Sequence, residues 1–98
     1  MTITKTAKGN ALTIALEGRL DTSTAPELEA ELNASLDGVT DLTLDFSQLL
    51  YLSSAGLRVI LSAQKRMNKQ GQMVVTHVCD AIMEVFEITG FVDILTIE

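Results

Sequence analysis

Leu52-Ser53-Ser54-Ala55-Gly56-Leu57 places two hydroxyls after an apolar run and directly before an amphipathic helical pattern. The first backbone N–H groups of a helix lack intrahelical partners, and the aligned peptide dipoles leave partial positive charge at that end. A phosphate on either serine would therefore lie where an anion is tolerated. The plainer reading is that one serine simply caps the helix, a role for which serine is among the preferred residues. On residue type alone, that reading is favoured.

The surrounding pattern alternates between strand and helix. Downstream, Leu57, Ile60, Leu61, Gln64 and Met67 form one helical stripe, with Arg58, Ser62, Lys65, Arg66 and Lys69 off it and Gly71 as the stop. Upstream, Leu42-Thr43-Leu44-Asp45-Phe46 alternates as a strand, and Ser47-Gln48-Leu49-Leu50-Tyr51 reads as a loop. Further upstream, Ile3 and then Leu12, Ile14 and Leu16 alternate with small or polar residues across Lys8-Gly9-Asn10, the pattern of a β-hairpin. Gly18 to Ser23 reads as a polar loop. Thr24-Ala25-Pro26-Glu27 then combines an N-cap threonine, an early proline and a capping-box glutamate ahead of Leu28, Leu32 and Leu36, with Gly38 as the stop.

Met73 to Val78 reads as a mostly apolar and hence central strand. Asp80 to Thr89 reads as a helix with Ile82, Val85, Phe86 and Thr89 in phase and Gly90 at its end, and Val92 to Ile97 as a short final strand. The order β-β-α-β-α-β-α, with that optional last β, predicts one α/β domain over residues 1–98, with a mixed sheet made of an N-terminal hairpin followed by parallel crossovers. The cleanly alternating strands predict helices mainly on one sheet face.

A chain of 98 residues supports one core, and 47% hydrophobic residues favour folding. Seven Lys and Arg against 13 Asp and Glu give a net charge of -6, which disfavours nucleic acid or anionic membranes as partners and points to a protein or small ligand. Neither a signal peptide nor a membrane-spanning run is visible, which predicts a soluble cytoplasmic protein. Cys79 and His77 each stand alone, so no zinc site is expected, and a structural role is the better reading of both, with Cys79 as a small buried group. The six glycines form no phosphate-cradling cluster and no Gly-x-Ser-x-Gly pattern occurs, so Ser54, His77 and Asp21 are not supported as a hydrolytic triad. No cofactor is indicated.

Asp21 is the one scattered carboxylate worth singling out, because parallel strands would bring its loop to the same sheet end as Ser53 and Ser54. It reads equally as a turn residue bonded to its own backbone. Arg58, four residues after Ser54, could reach back along the helix to a phosphate there, although a solvated cation is the plainer reading.

Taken together, Gly18-Arg19-Leu20-Asp21, the strand Leu42 to Phe46, Tyr51-Leu52-Ser53-Ser54-Ala55-Gly56-Leu57-Arg58-Val59-Ile60-Leu61 and Phe86-Glu87-Ile88-Thr89-Gly90-Phe91 resemble the STAS domain of bacterial anti-sigma factor antagonists along nearly the whole chain. The resemblance implies a non-enzymatic switch that binds an anti-sigma factor with serine kinase activity, frees the sigma factor, and is turned off by phosphorylation. Alignment on Gly56-Leu57 implies Ser54 as the phosphoacceptor, with Ser53 where many members carry aspartate. It also implies a contact surface of Asp21, Thr22, Ser23 and Thr24 with Ser53, Ser54, Ala55, Gly56, Leu57 and Arg58, and a serine phosphatase as a second partner. Two other readings stay open: a STAS interaction subunit of a lipid-transport or signalling complex without a serine switch, and a nucleotide-binding STAS module.

Overall fold

Alternation builds the sheet: Leu12, Ile14 and Leu16 of one strand and Leu42, Leu44 and Phe46 of the next are buried, while Thr13, Ala15, Thr43 and Asp45 between them stay part-exposed. The computed structural model describes residues 1–98. Its strands are β1 (Thr2–Lys8), β2 (Ala11–Leu20), β3 (Asp41–Leu52) and β4 (Gln72–Thr76), in spatial order β1-β2-β3-β4. β1 and β2 pair antiparallel as a hairpin turning at Gly9-Asn10; β2, β3 and β4 are parallel. Helices α1 (Ala25–Ser35), α2 (Ser54–Gln70) and α3 (Asp80–Thr89) follow β2, β3 and β4. The mixed sheet and its parallel crossovers are those expected from the sequence.

One cluster of 23 buried apolar side chains lies between the sheet and the helices. α1 contributes Leu28 and Leu32, with Leu36 at its end; α2 contributes Ile60 and Met67; and Phe86 of α3 packs on Phe46 with ring centroids 6.4 Å apart. Each fully buried leucine of this kind contributes about 1.5–3 kcal/mol of burial free energy.

Several boundaries differ from the sequence reading. β2 continues through Gly18-Arg19-Leu20, and β3 absorbs the whole stretch from Ser47 to Tyr51 that reads as a loop. The reason is a pair of bulges: Ala15 pairs with Asp45 but Glu17 with Gln48, and Gly18 pairs with Leu49 but Arg19 with Tyr51. Each adds one residue to β3, so the buried positions after Phe46 fall at Leu49 and Leu52 and the period of two is lost.

On α2, Val59 and Ala63 are buried, whereas Leu61 is only half-buried. Gly71 ends that helix in extended backbone and not in a left-handed cap. Glycine is needed there because an added Cβ would overlap the Thr40 carbonyl. β4 is an edge strand, not a central one, and stops at Thr76. The final strand reduces to a 3-10 turn over Phe91–Asp93 and a single bridge of Ile97 to Val75 that partly covers the β4 edge. Thr89 is exposed, its hydroxyl donating to the Val85 carbonyl at 2.7 Å.

Candidate functional site

β2 and β3 run parallel and end together, Leu20 opposite Leu52. The Ser53 N–H donates to the Leu20 carbonyl at 2.9 Å, which ties the Asp21 loop to the start of α2. Glycine at position 56 allows this approach, since a Cβ there would stand 2.7 Å from both Leu20 and Leu52 side-chain atoms.

The two serines divide the roles that the sequence left open between them. Ser53 is the N-cap of α2, half-buried, and its Oγ accepts the Gly56 N–H at 3.4 Å. Ser54 is the first helical residue, exposed, and its hydroxyl is used in no hydrogen bond within the chain. A free hydroxyl at a helix N-terminus is thus left facing outward, with the capping done by its neighbour.

Beside it, Asp21 organises the preceding loop. Its Oδ1 accepts from the Ser23 hydroxyl at 2.7 Å, the Ser23 N–H at 3.0 Å and the Thr24 N–H at 3.2 Å. The Ser23 hydroxyl foremost, with the Thr24 and Ser23 N–H groups, holds the Asp21 carboxyl below its usual pKa against the opposing pull of desolvation. Thr24 stands at the N-cap of α1 as the sequence suggests, but its side chain makes no capping hydrogen bond. Its hydroxyl is already committed, accepting the Asp21 N–H at 2.9 Å and donating to the Arg19 carbonyl at 2.8 Å.

Between the first turns of α1 and α2 runs a cleft of 340 Å³ whose walls include Thr22 and Glu29 on one side and Ala55, Arg58 and Ser62 on the other. Arg58 is exposed and engages no carboxylate of the chain. The structure therefore brings Asp21 to Thr24 together with Ser53, Ser54, Ala55 and Arg58 on one rim. Gly56 and Leu57 do not share that surface, because both are buried in the core.

His77 does not join the rim. It follows Thr76, which pairs with Asp45, seven residues before Leu52, and its Nδ1 lies 3.3 Å from the Asp45 carboxylate. Asp45 titrates low chiefly because it accepts the Ser47 N–H, with His77 a lesser cause. Cys79, expected to be buried, is exposed at the N-cap of α3.

Sequence reading passed over three neighbours of the rim. Arg19 stacks its guanidinium 4.1 Å from the Tyr51 ring centroid and sets Nε 3.7 Å from Asp21 Oδ2, and Leu50 stands exposed beside them. The signal available was Leu50-Tyr51 falling outside the buried phase of β3. No helix is long and apolar enough to cross a membrane.

The sequence profile described as "Mlab, STAS domain" matches residues 3–96. BtrV of Bordetella bronchiseptica, named as an anti-sigma factor antagonist, is 42% identical over 84 residues, 84% of this chain and 72% of the relative. The anti-sigma-B factor antagonist of Staphylococcus aureus is 30% identical over 97 residues, 97% of this chain and 90% of the relative. The structure of the Bacillus cell fate determinant SpoIIAA in its phosphorylated form superposes with a TM-score of 0.78 at 17% identity, over 99% of this chain and 91% of that one, a likeness that speaks to the fold. With a profile spanning almost every residue and relatives matched along most of their length, the chain belongs to the STAS domain family.

Proposed function

We propose that this chain is an anti-sigma factor antagonist whose binding is switched off by phosphorylation of Ser54. The relatives BtrV and the Staphylococcus antagonist support the first part. The observation that carries the second is the division of labour at the α2 N-terminus: Ser53 caps, and Ser54 is exposed with its hydroxyl unengaged next to the Asp21 loop.

The partner is an anti-sigma factor that is also a serine kinase. It transfers the γ-phosphoryl group of ATP: the Ser54 Oγ–P bond forms, the bond to the ADP oxygen breaks, and the hydroxyl proton departs. The phosphate adds close to two negative charges at neutral pH. At the first position of a 17-residue helix, with Arg58 four residues on, that charge suits the host. The docked surface, shaped for a neutral serine, loses packing and gains repulsion. The chain itself performs no catalysis, acts in the cytoplasm, and is reset by a serine phosphatase.

The test is to incubate the protein with candidate anti-sigma kinases and ATP, map the modified residue by mass spectrometry, and compare Ser54→Ala with Ser54→Asp for binding. Phosphate on Ser54 is expected, with Ser54→Ala bound and Ser54→Asp weakened at least tenfold while its unfolding midpoint is unchanged or slightly raised. If every kinase that binds leaves Ser54 unmodified, or both variants bind alike, the chain is an adaptor without a serine switch.

A further inference from the structure

Of the seven Lys and Arg residues, six are either engaged within the chain or far from Ser54. Lys5 pairs with Glu31, Arg66 with Asp37, and Arg19 with Asp21 and the face of the Tyr51 ring. Lys8 lies at the hairpin end of β2, away from the end that carries Leu20. Lys65 and Lys69 stand about 16 and 22 Å further along α2. The seventh is Arg58, exposed and in no ion pair.

Arg58 follows Ser54 by four residues on α2, a rise of about 6 Å, and shares its face of the helix. Side chains of a helix lean toward its N-terminus, so a long one at position 58 lies over the turn that holds Ser54. Nothing obstructs that reach: the Ser54 hydroxyl is unengaged, and Ala55 and Arg58 line one wall of the cleft beside it. An acidic group placed N-terminal to a basic one at this spacing is also the favourable order.

The nearby carboxylates make this cation decisive. Glu29 of α1 lines the same cleft yet forms no ion pair with Arg58. Asp21 commits Oδ1 to Ser23 and Thr24 and turns Oδ2 toward Arg19. A phosphate on Ser54, added to a chain of net charge -6, therefore meets like charge from α1 and from the Asp21 loop. The positive end of α2 and the Arg58 guanidinium are what oppose it.

We propose that Arg58 is a clasp for phosphoserine at position 54, its guanidinium folding back one helical turn to donate hydrogen bonds to the phosphate oxygens. The proposal rests on the reading of Ser54 as the phosphoacceptor. Arg58 is idle before the phosphate arrives and engaged afterwards. Phosphorylation then does more than add charge: it withdraws from the rim the one unpaired cation that the unmodified chain presents there.

The test needs no kinase, because phosphoserine is encoded at position 54 of the full chain by suppression of an amber codon. Phosphorus NMR follows the second ionisation of the phosphate in the parent chain, Arg58→Gln, Arg58→Lys and Lys65→Gln. Arg58→Gln is expected to raise the midpoint by about 0.3–0.5 pH unit, Arg58→Lys by less, and Lys65→Gln to leave it unmoved. In proton–nitrogen spectra the Arg58 Nε–H signal is expected to move downfield on phosphorylation. Without the phosphate, Arg58→Gln is expected to unfold at the same urea concentration as the parent. Equal ionisation midpoints for the parent and Arg58→Gln, or an Arg58 signal indifferent to the phosphate, overturn the clasp and leave Ser54 as acceptor untouched. Failure of every anti-sigma kinase to modify Ser54 overturns the acceptor reading, while the result on the encoded phosphoserine still decides the clasp.

Discussion

Gly56→Ala is a substitution whose sign separates two physical accounts of the site. In an open helix, replacing glycine by alanine stabilises by up to about 1 kcal/mol, because alanine has less backbone entropy to lose. Here the added methyl would stand 2.7 Å from Leu20 Cγ and Leu52 Cδ1 and 3.1 Å from Leu20 Cδ2. The first two separations are about 0.7 Å or more short of ordinary carbon contact. Both leucines are buried at the ends of paired strands, so neither moves without disturbing the core or lifting α2 from the sheet. Overpacking of this kind costs about 1–3 kcal/mol. Set against the full helix gain, the expected net loss is up to about 2 kcal/mol. Urea unfolding reads it as a lower midpoint with an unchanged slope. Adding Leu20→Val, which trims the crowded side chain, is expected to cost less in the Gly56→Ala background than alone. A midpoint at or above wild type for Gly56→Ala, with additive behaviour in the double variant, would refute the close approach that seats Ser54.

Two further outcomes follow from the same rim. Ser53→Ala removes the only side-chain cap of α2; since the bond to Gly56 is long at 3.4 Å, the loss is expected near the low end of cap deletions, about 0.5–1 kcal/mol, measurable by the same unfolding curves, while Ser54 remains a kinase substrate. The Asp21 carboxyl titrates below 3.8 in the folded chain, so its contribution is fully present above the unfolded value and is lost as pH falls through the folded one. NMR titration of Asp21 is expected to show a midpoint below 3.8, and Asp21→Asn to reduce the fall in stability on the acid side; a midpoint at or above 3.8 would contradict the hydrogen bonding at Ser23 and Thr24.

Much of the architecture is legible in the chain because each segment obeys one period. Leu12-Ile14-Leu16 and Leu28-Leu32-Leu36 face the core as their spacing requires, and Gly90 closes α3 at φ 80°. Legibility fails where the period breaks or a side chain has two partners to choose from. The two bulges put Leu49 and Leu52, not every second residue, into the core, so the strand leading to Ser53 reads as a loop. Thr24 carries a capping-box signature with Glu27, yet its hydroxyl is drawn to Arg19 and Asp21.

Local patterning thus determined the element order, the start of α2 at a pair of serines and the closeness of Asp21 to a strand end, since these follow from residues near one another in the chain. Only the tertiary structure decided which serine caps and which faces outward, and that Gly56 and Leu57 belong to the interior. It also left Leu50 exposed as the extra residue of the second β3 bulge. Those outcomes depend on the register between β2 and β3, in which residues some thirty positions apart become neighbours through backbone pairing that no local period encodes.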